Sequence, residues 1–290
     1  MIYSYKGERL AEHSYLVLRL YCGAFGSSHE RLVARHLGAE NLGVDAEPIA
    51  VAMRAACLLH DVGKALADYQ ERIMQGRGAP FHEVVSACLT YNALRFAPFD
   101  KGPLARRLLS FAAAYAVLQH HQAMRSFSEM LQEGLRYLRS LKGGINADVA
   151  VEVKLAAQMA EHLFDSERVL KGFERALERT LSGGLGVELQ VFINDFSSTL
   201  EGRAPPGVGS DWSAAWTRLQ PLLPLFAVPL QLCDYLAAYI ARGGRMRPLH
   251  RETLLMLRKA QSDPSTSAYI PPNGGCRHAR NPQRPNHRTK

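Results

Sequence analysis

Apolar residues recur at three- and four-residue spacing along most of this 290-residue chain. That is the pattern of amphipathic helices, and no series of alternating strands competes with it. The chain therefore reads as all-α. The periodicity predicts helices over about 8–24, 47–74, 80–96, 103–122, 126–142, 147–182, 186–200, 212–223, 229–242 and 248–260. GLGVELQVFINDF, 184–196, is the one stretch ambiguous between helix and strand. Gly and Pro mark breaks at GRGAP (76–80), KGG (142–144) and GRAPPGVGSD (202–211). From Ser262 onward the periodicity stops and Pro, Asn, Arg, Ser and Gly dominate, which predicts a disordered tail.

Against this helical background, LLHDVGKAL (Leu58–Leu66) places a His-Asp pair and a Lys where a buried helix is expected. Charged side chains seldom enter a core without a partner. A bound metal, a salt bridge, or a surface helix face would each account for them. Ile49, Met53, Ala56, His60 and Gly63/Lys64 follow one helical face, so His60 is expected to point inward with Lys64 one turn further along. Asp61 would lie about 100° around from His60, near enough to share an ion with it.

Other histidines repeat the anomaly. His13 lies in RLAEHSYLVLRL and His82 in FHEVVSACL; His120 and His121 end LLSFAAAYAVLQHH. Asp234, in LFAVPLQLCDYLAAYI, is the only acid of its apolar run. One buried His is ordinarily a hydrogen-bonded core residue, whereas five with two stranded aspartates are better explained by metal. Imidazole with carboxylate suits zinc, iron, manganese, nickel or cobalt, and this inventory is large enough for two ions. Two such ions can polarise a phosphate oxygen and activate a water. Lys64 is either a phosphate contact or a stem packed on the helix with its ammonium in water.

Composition narrows the partners. With 47% hydrophobic residues the chain can build a real core. The formal charge of +8 is uneven: residues 258–290 hold seven Lys/Arg against Asp263, a net +6, which leaves +2 on the body. Charge alone thus does not establish a nucleic-acid partner. Arg106, Arg107 and Arg125 read as a solvated face before they read as DNA contacts, and Phe81 and Tyr115 as core before stacking platforms. Cys22, Cys57, Cys88, Cys233 and Cys276 are widely spaced and lack CxxC spacing, as expected of reduced thiols in a cytoplasmic protein. The apolar run Leu108–Leu118 is too short to span a bilayer, and MIYSYKGERL lacks the form of a signal peptide, so no membrane partner is expected.

The ordered motifs LAEH, HDVGK, HEVVSA, QHH and QLCDYLA resemble those of the HD phosphohydrolase superfamily, and within it the CRISPR-associated HD nucleases of type I interference systems. The resemblance implies an HD-type helical bundle over 1–260, with helices inserted at about 125–200, and a basic tail over 261–290. It implies one ion held by His13, His60, Asp61 and Asp234, and a second held by Asp61, as the bridge, with His82, His120 and His121. Lys64 would contact the scissile phosphate, and Asp61 and Lys64 would be the catalytic pair. Asp195, in VFINDFSSTL, rivals Asp234 as the late aspartate.

The implied activity is hydrolysis of phosphodiester bonds in single-stranded DNA, and in some relatives RNA, using two divalent ions (manganese, magnesium, nickel, cobalt or iron). No GxxxxGK[ST] phosphate loop is present, so the resemblance is to the stand-alone nuclease subunit, as in archaeal type I-A systems. A separate helicase subunit and an RNA-guided surveillance complex are then the expected partners. The alternatives are an HD phosphohydrolase acting on nucleotides or cyclic nucleotides, and an interaction module whose ion is structural or lost.

Overall fold

A computed structural model of the chain describes residues 1–38, 45–98, 102–121, 127–204 and 211–241. The helix predicted at 248–260, the tail, Arg125 and Cys276 lie outside the described residues. Among the described residues the fold is all-α apart from one short antiparallel hairpin, β1 (Tyr3–Tyr5) with β2 (Glu8–Arg9), which the periodicity does not reveal. Gly7, at φ 84°, makes the tight turn between them in a conformation that favours glycine.

The helices are α1 (Leu10–Ala24), α2 (Gly26–Gly38), α3 (Ala46–Leu59), α4 (Ala67–Met74), α5 (His82–Phe96), α6 (Pro103–Gln119), α7 (Phe127–Ser140), α8 (Val149–Met159), α9 (Glu167–Gly183), α10 (Leu185–Leu200), α11 (Trp212–Leu219) and α12 (Leu223–Ala241). The stretch 184–196 is therefore helical. The helix expected over 47–74 is in fact three pieces: α3 stops at Leu59, a 3-10 turn runs from Val62 to Ala65, and α4 follows. The helix expected over 147–182 is two: α8 ends at Met159 and α9 starts at Glu167, whose N–H the Asp165 carboxylate accepts at 3.0 Å. Helix α2 was not predicted at all.

The helix expected from Pro229 begins six residues earlier, at Leu223, with Pro229 in its interior. A mid-helix proline leaves the carbonyl four residues back without its N–H donor. Here the Leu225 carbonyl accepts from His29 Nε2 on α2 instead, at 2.8 Å. The segment Trp212–Ala241 is long and apolar enough to cross a membrane by length and composition, and longer than the run singled out in the sequence. Half of its most apolar window is buried inside the protein, against α1, α3 and α6.

Helix α5 is the hub of the core, buried along almost its whole length and packed by α6, α9, α3 and the 62–65 turn. Its residues from His82 to Leu94 are all buried, polar ones included, so no face of that stretch is left to solvent. Two glycines let neighbours approach its backbone. A Cβ at Gly172 of α9 would lie 2.0 Å from the Ala93 carbonyl oxygen, and one at Gly63 would lie 2.2 Å from the His82 carbonyl oxygen. The second contact presses the 62–65 turn onto the start of α5. Cys57, Cys88 and Cys233 are buried free thiols and Cys22 is half-buried.

Candidate metal centre

The C-terminal ends of α3 and α6, the start of α5, the first turns of α1 and the middle of α12 meet at one point. They bring together His13, His60, Asp61, His82, His120, His121 and Asp234, with Lys64 beside them. Because α3 ends at Leu59, Lys64 does not continue a helical face from His60. The 3-10 turn instead curls its ammonium back to Asp61 Oδ2, at 2.6 Å.

Asp61 is fully buried and sits at the centre. Its Oδ1 lies 3.0 Å from His82 Nε2 and 3.8 Å from His120 Nε2. Its Oδ2 faces His13 Nε2 at 3.5 Å and His60 Nε2 at 3.7 Å, and accepts from the Ser4 hydroxyl at 3.0 Å. Asp234 Oδ1 lies 2.9 Å from His13 Nε2 and 3.5 Å from His60 Nε2, with His121 Nδ1 3.7 Å from Oδ2. Asp61 with His82, His120 and His121 forms one set of donor atoms all within 4.8 Å of one another; His13, His60 and Asp61 form another, and His60, His120 and Asp234 a third.

One device orients three of the rings. His60, His82 and His120 each direct Nδ1 at the carbonyl three residues earlier: Cys57 (2.9 Å), Ala79 (2.7 Å) and Val117 (2.5 Å). A ring whose Nδ1–H is given to a carbonyl presents Nε2 as a lone pair, the form that binds metal. His60 Nε2 and His120 Nε2 are buried and lack a hydrogen-bond partner. Buried polar atoms are rarely left so, and two of them aimed at one pair of carboxylates fit a bound cation. The Lys64–Asp61 pair neutralises one carboxylate but leaves those nitrogens unexplained, so a salt bridge alone does not account for the cluster.

The electrostatics agree. Burial opposes ionisation of Asp61, yet the Lys64 ammonium, His60, His120 and His82 hold its carboxyl well below the usual range. Burial likewise opposes ionisation of Asp234, whose carboxyl the His13 bond and the nearby His60 ring hold well below the usual range. For His13, burial is outweighed by the bonds to Asp234 and Glu8, which raise it to about 9. Burial pushes His60 down. The two carboxylates are thus anionic and pull positive charge to one place. At 36% side-chain exposure, His121 marks the side open to solvent.

Sequence reasoning missed three contributors. Glu8 accepts from His13 Nδ1 at 2.7 Å, and Ser4 reaches Asp61; both lie on the hairpin. The Ser86 hydroxyl of HEVVSA accepts the Gly63 N–H of HDVGK at 2.8 Å, joining the two motifs. Phe81, just before His82, has φ 61°, a left-handed conformation that is strained for a bulky residue. Its loop is held by a bond from the Tyr69 hydroxyl to the Pro80 carbonyl. The Phe81 ring packs on Tyr137 (5.6 Å between centroids), and Tyr115 packs against the core. Asp195 lies outside the cluster, beside Arg107 and Arg95.

No protein-family model matches the chain. The chain is similar to the CRISPR-associated endonuclease Cas3-HD of Methanocaldococcus jannaschii, 24% identical over 253 residues, covering 83% of this chain and 90% of that protein. Among solved structures it is similar to the CRISPR-associated Cas3 HD domain protein of the same organism, at 19% identity and a TM-score of 0.48, covering 79% of this chain and 100% of that one. The sequence likeness extends over most of both lengths.

Proposed function

We propose that this protein is a metal-dependent phosphodiesterase that cleaves single-stranded DNA as the nuclease of a type I CRISPR system, in the cytoplasm. The observation that carries this reading is the convergence of five imidazoles on Asp61 and Asp234, with bare Nε2 atoms on His60 and His120. In this reading His13, His60, Asp61 and Asp234 hold one divalent cation, and Asp61 shares a second with His82, His120 and His121. When bound, such a pair supplies an activated water and offsets the charge that builds on the phosphate.

The chain's own residues do the rest. Carbonyls and Glu8 hold the rings in the metal-binding orientation. Lys64, whose ammonium is tethered to Asp61, is a cation that can exchange that partner for a phosphate oxygen. Asp61 is fully buried, so a phosphate has to enter a recess, which a flexible single strand does more readily than a duplex. A site of this many imidazoles suits manganese, nickel, cobalt or iron better than magnesium, which prefers oxygen ligands. The net charge of +8 favours the backbone of a nucleic acid without reading its sequence. A separate helicase chain and an RNA-guided surveillance complex are the partners that would deliver the strand.

The test is incubation of end-labelled single-stranded DNA, RNA and duplex with manganese, nickel, cobalt or magnesium, beside Asp61→Ala. Metal-dependent cleavage of single strands that the substitution abolishes supports the nuclease. Phosphate release from nucleotides with no polymer cleaved moves the assignment to a small-substrate phosphohydrolase. No hydrolysis with any metal, together with unfolding on metal removal, leaves an interaction module with a structural ion.

A further inference from the structure

The N-terminal hairpin belongs to none of the motifs, yet two side chains from other helices anchor it. Glu152 of α8 accepts the N–H groups of Ile2 and Ala11 (3.3 Å each) and the Arg9 guanidinium (2.9 Å). The Gln70 amide of α4 accepts the Tyr3 N–H and donates back to the Tyr3 carbonyl (2.9 Å each). The same amide donates to the Lys64 carbonyl at 2.7 Å, so hairpin and 62–65 turn share one anchor. From this mount the Glu8 side chain, 10% exposed, reaches His13 Nδ1.

His13 needs that contact for a local reason. His60 and His120 follow the C-terminal ends of α3 and α6, where carbonyls lack a helical donor, and His82 opens α5, so the Ala79 carbonyl it uses belongs to the loop before the helix. His13 lies within α1, whose carbonyls are taken by the helix's own bonds, so its Nδ1–H requires an acceptor from elsewhere. A carboxylate behind a histidine, on the side away from a metal, fixes the ring's orientation and makes it a better ligand.

We propose that Glu8 is a positioning residue of the metal centre: it holds His13 with Nε2 turned toward Asp61 and Asp234. The proposal rests on the metal-centre reading above. It makes the N-terminal nine residues part of the working site and not an appendage to the bundle.

Manganese binding, measured by titration calorimetry on the full chain, tests it with wild type, Glu8→Ala, Glu8→Gln, His13→Ala and the double variants. Glu8→Ala is expected to weaken binding by about 10- to 100-fold. Glu8→Gln, which keeps an acceptor oxygen, should lose less. If Glu8 acts through His13, neither substitution weakens binding further once His13 is alanine. An unchanged affinity in Glu8→Ala overturns the proposal, and so does an equal loss in the His13→Ala background, which would mean that Glu8 only holds the fold. Where Glu8→Ala unfolds, Glu8→Gln carries the same comparison. Wild type that binds no manganese would instead sink the metal reading itself, a result distinct from either.

Discussion

Asp234 and Asp195 look alike in the sequence, each a late aspartate in an apolar helix, and the fold gives them opposite surroundings. Asp195 on α10 faces Arg107 at 3.3 Å and Arg95 and the Tyr91 hydroxyl at 3.5 Å, on the α5–α6 surface. Arg107 in turn donates to the Tyr91 hydroxyl at 2.9 Å. Those partners are permanent cations and a donor, so the aspartate's charge is met and nothing is left to bind. Asp234 faces three histidines, whose nitrogens can give up their protons and accept a metal instead. A stranded carboxylate therefore becomes a site only when its neighbours can change state.

The largest effect follows from removing the shared carboxylate. Asp61→Ala is expected to cut metal-dependent cleavage by more than about 100-fold, since even residues behind metal ligands cost about 10- to 100-fold. Asp234→Ala should lose a comparable factor, and Asp195→Ala should stay within about 2-fold of wild type. Cleavage rates under single-turnover conditions decide it: an Asp195→Ala loss as large as that of Asp234→Ala would break the distinction between the two regions.

The next effect is on stability in the absence of metal. His13, raised to about 9 from its ordinary 6.5, takes up its proton more readily in the folded protein. Its contribution is fully present below about pH 6.5 and is lost as pH rises through 9. A shift of that size corresponds to at most about 3 kcal/mol. The chelated protein should thus melt at falling temperature between pH 6.5 and 9.5, and His13→Ala should flatten the slope. Manganese affinity should run the other way and rise with pH, because binding displaces the proton. A chelated protein whose melting is as flat as that of His13→Ala would show that His13 is not held protonated by Asp234 and Glu8.

Much of this was legible because the feature itself is local. His13, His82, His120 and Asp234 stand out as polar residues on apolar helical faces, and the same periodicity yields α5 and α6 to within a few residues. What was not legible depends on contacts between elements. LLHDVGKAL keeps helical spacing, and the 3-10 turn that replaces the helix packs Gly63 on the His82 carbonyl, a contact between elements. Glu8 looks like an exposed acid until the hairpin folds it under His13. Pro229 reads as a helix start until His29 is seen to occupy the carbonyl it leaves free. Helix α2 was missed because its polar face dilutes the apolar spacing in GSSHERLVARH.

Gly63 gives a sharper test of how the motifs are joined. A Cβ there would meet the His82 carbonyl at 2.2 Å and the Ser86 hydroxyl at 2.9 Å. Gly63→Ala should destabilise the fold by about 1–3 kcal/mol, as overpacking does. It should also weaken manganese binding, because the contact it pushes apart carries Asp61 on one side and His82 on the other. Ser86→Ala leaves the Gly63 N–H without its partner and should cost about 1–3 kcal/mol with less effect on the metal. Denaturant melts paired with metal titration separate the two; equal metal affinities in both variants and wild type would show that the join holds the fold only.

The smallest effect is expected at the second aspartate. Asp195→Asn removes a charge whose partners are arginines at 15% and 25% side-chain exposure, near enough to solvent to be rehydrated. Exposed or part-exposed ion pairs contribute about 1 kcal/mol or less, and salt weakens them further. The substitution should therefore lower stability by no more than about 1 kcal/mol, a difference that shrinks in high salt. Manganese affinity should be unaltered. The corresponding Asp234→Asn removes a carboxylate that three imidazoles face, and its cost should appear in metal binding more than in the melt. A melt in high salt that brings Asp195→Asn level with wild type, beside an Asp234→Asn protein that folds but no longer binds manganese, would separate an ion pair from a metal ligand by chemistry alone.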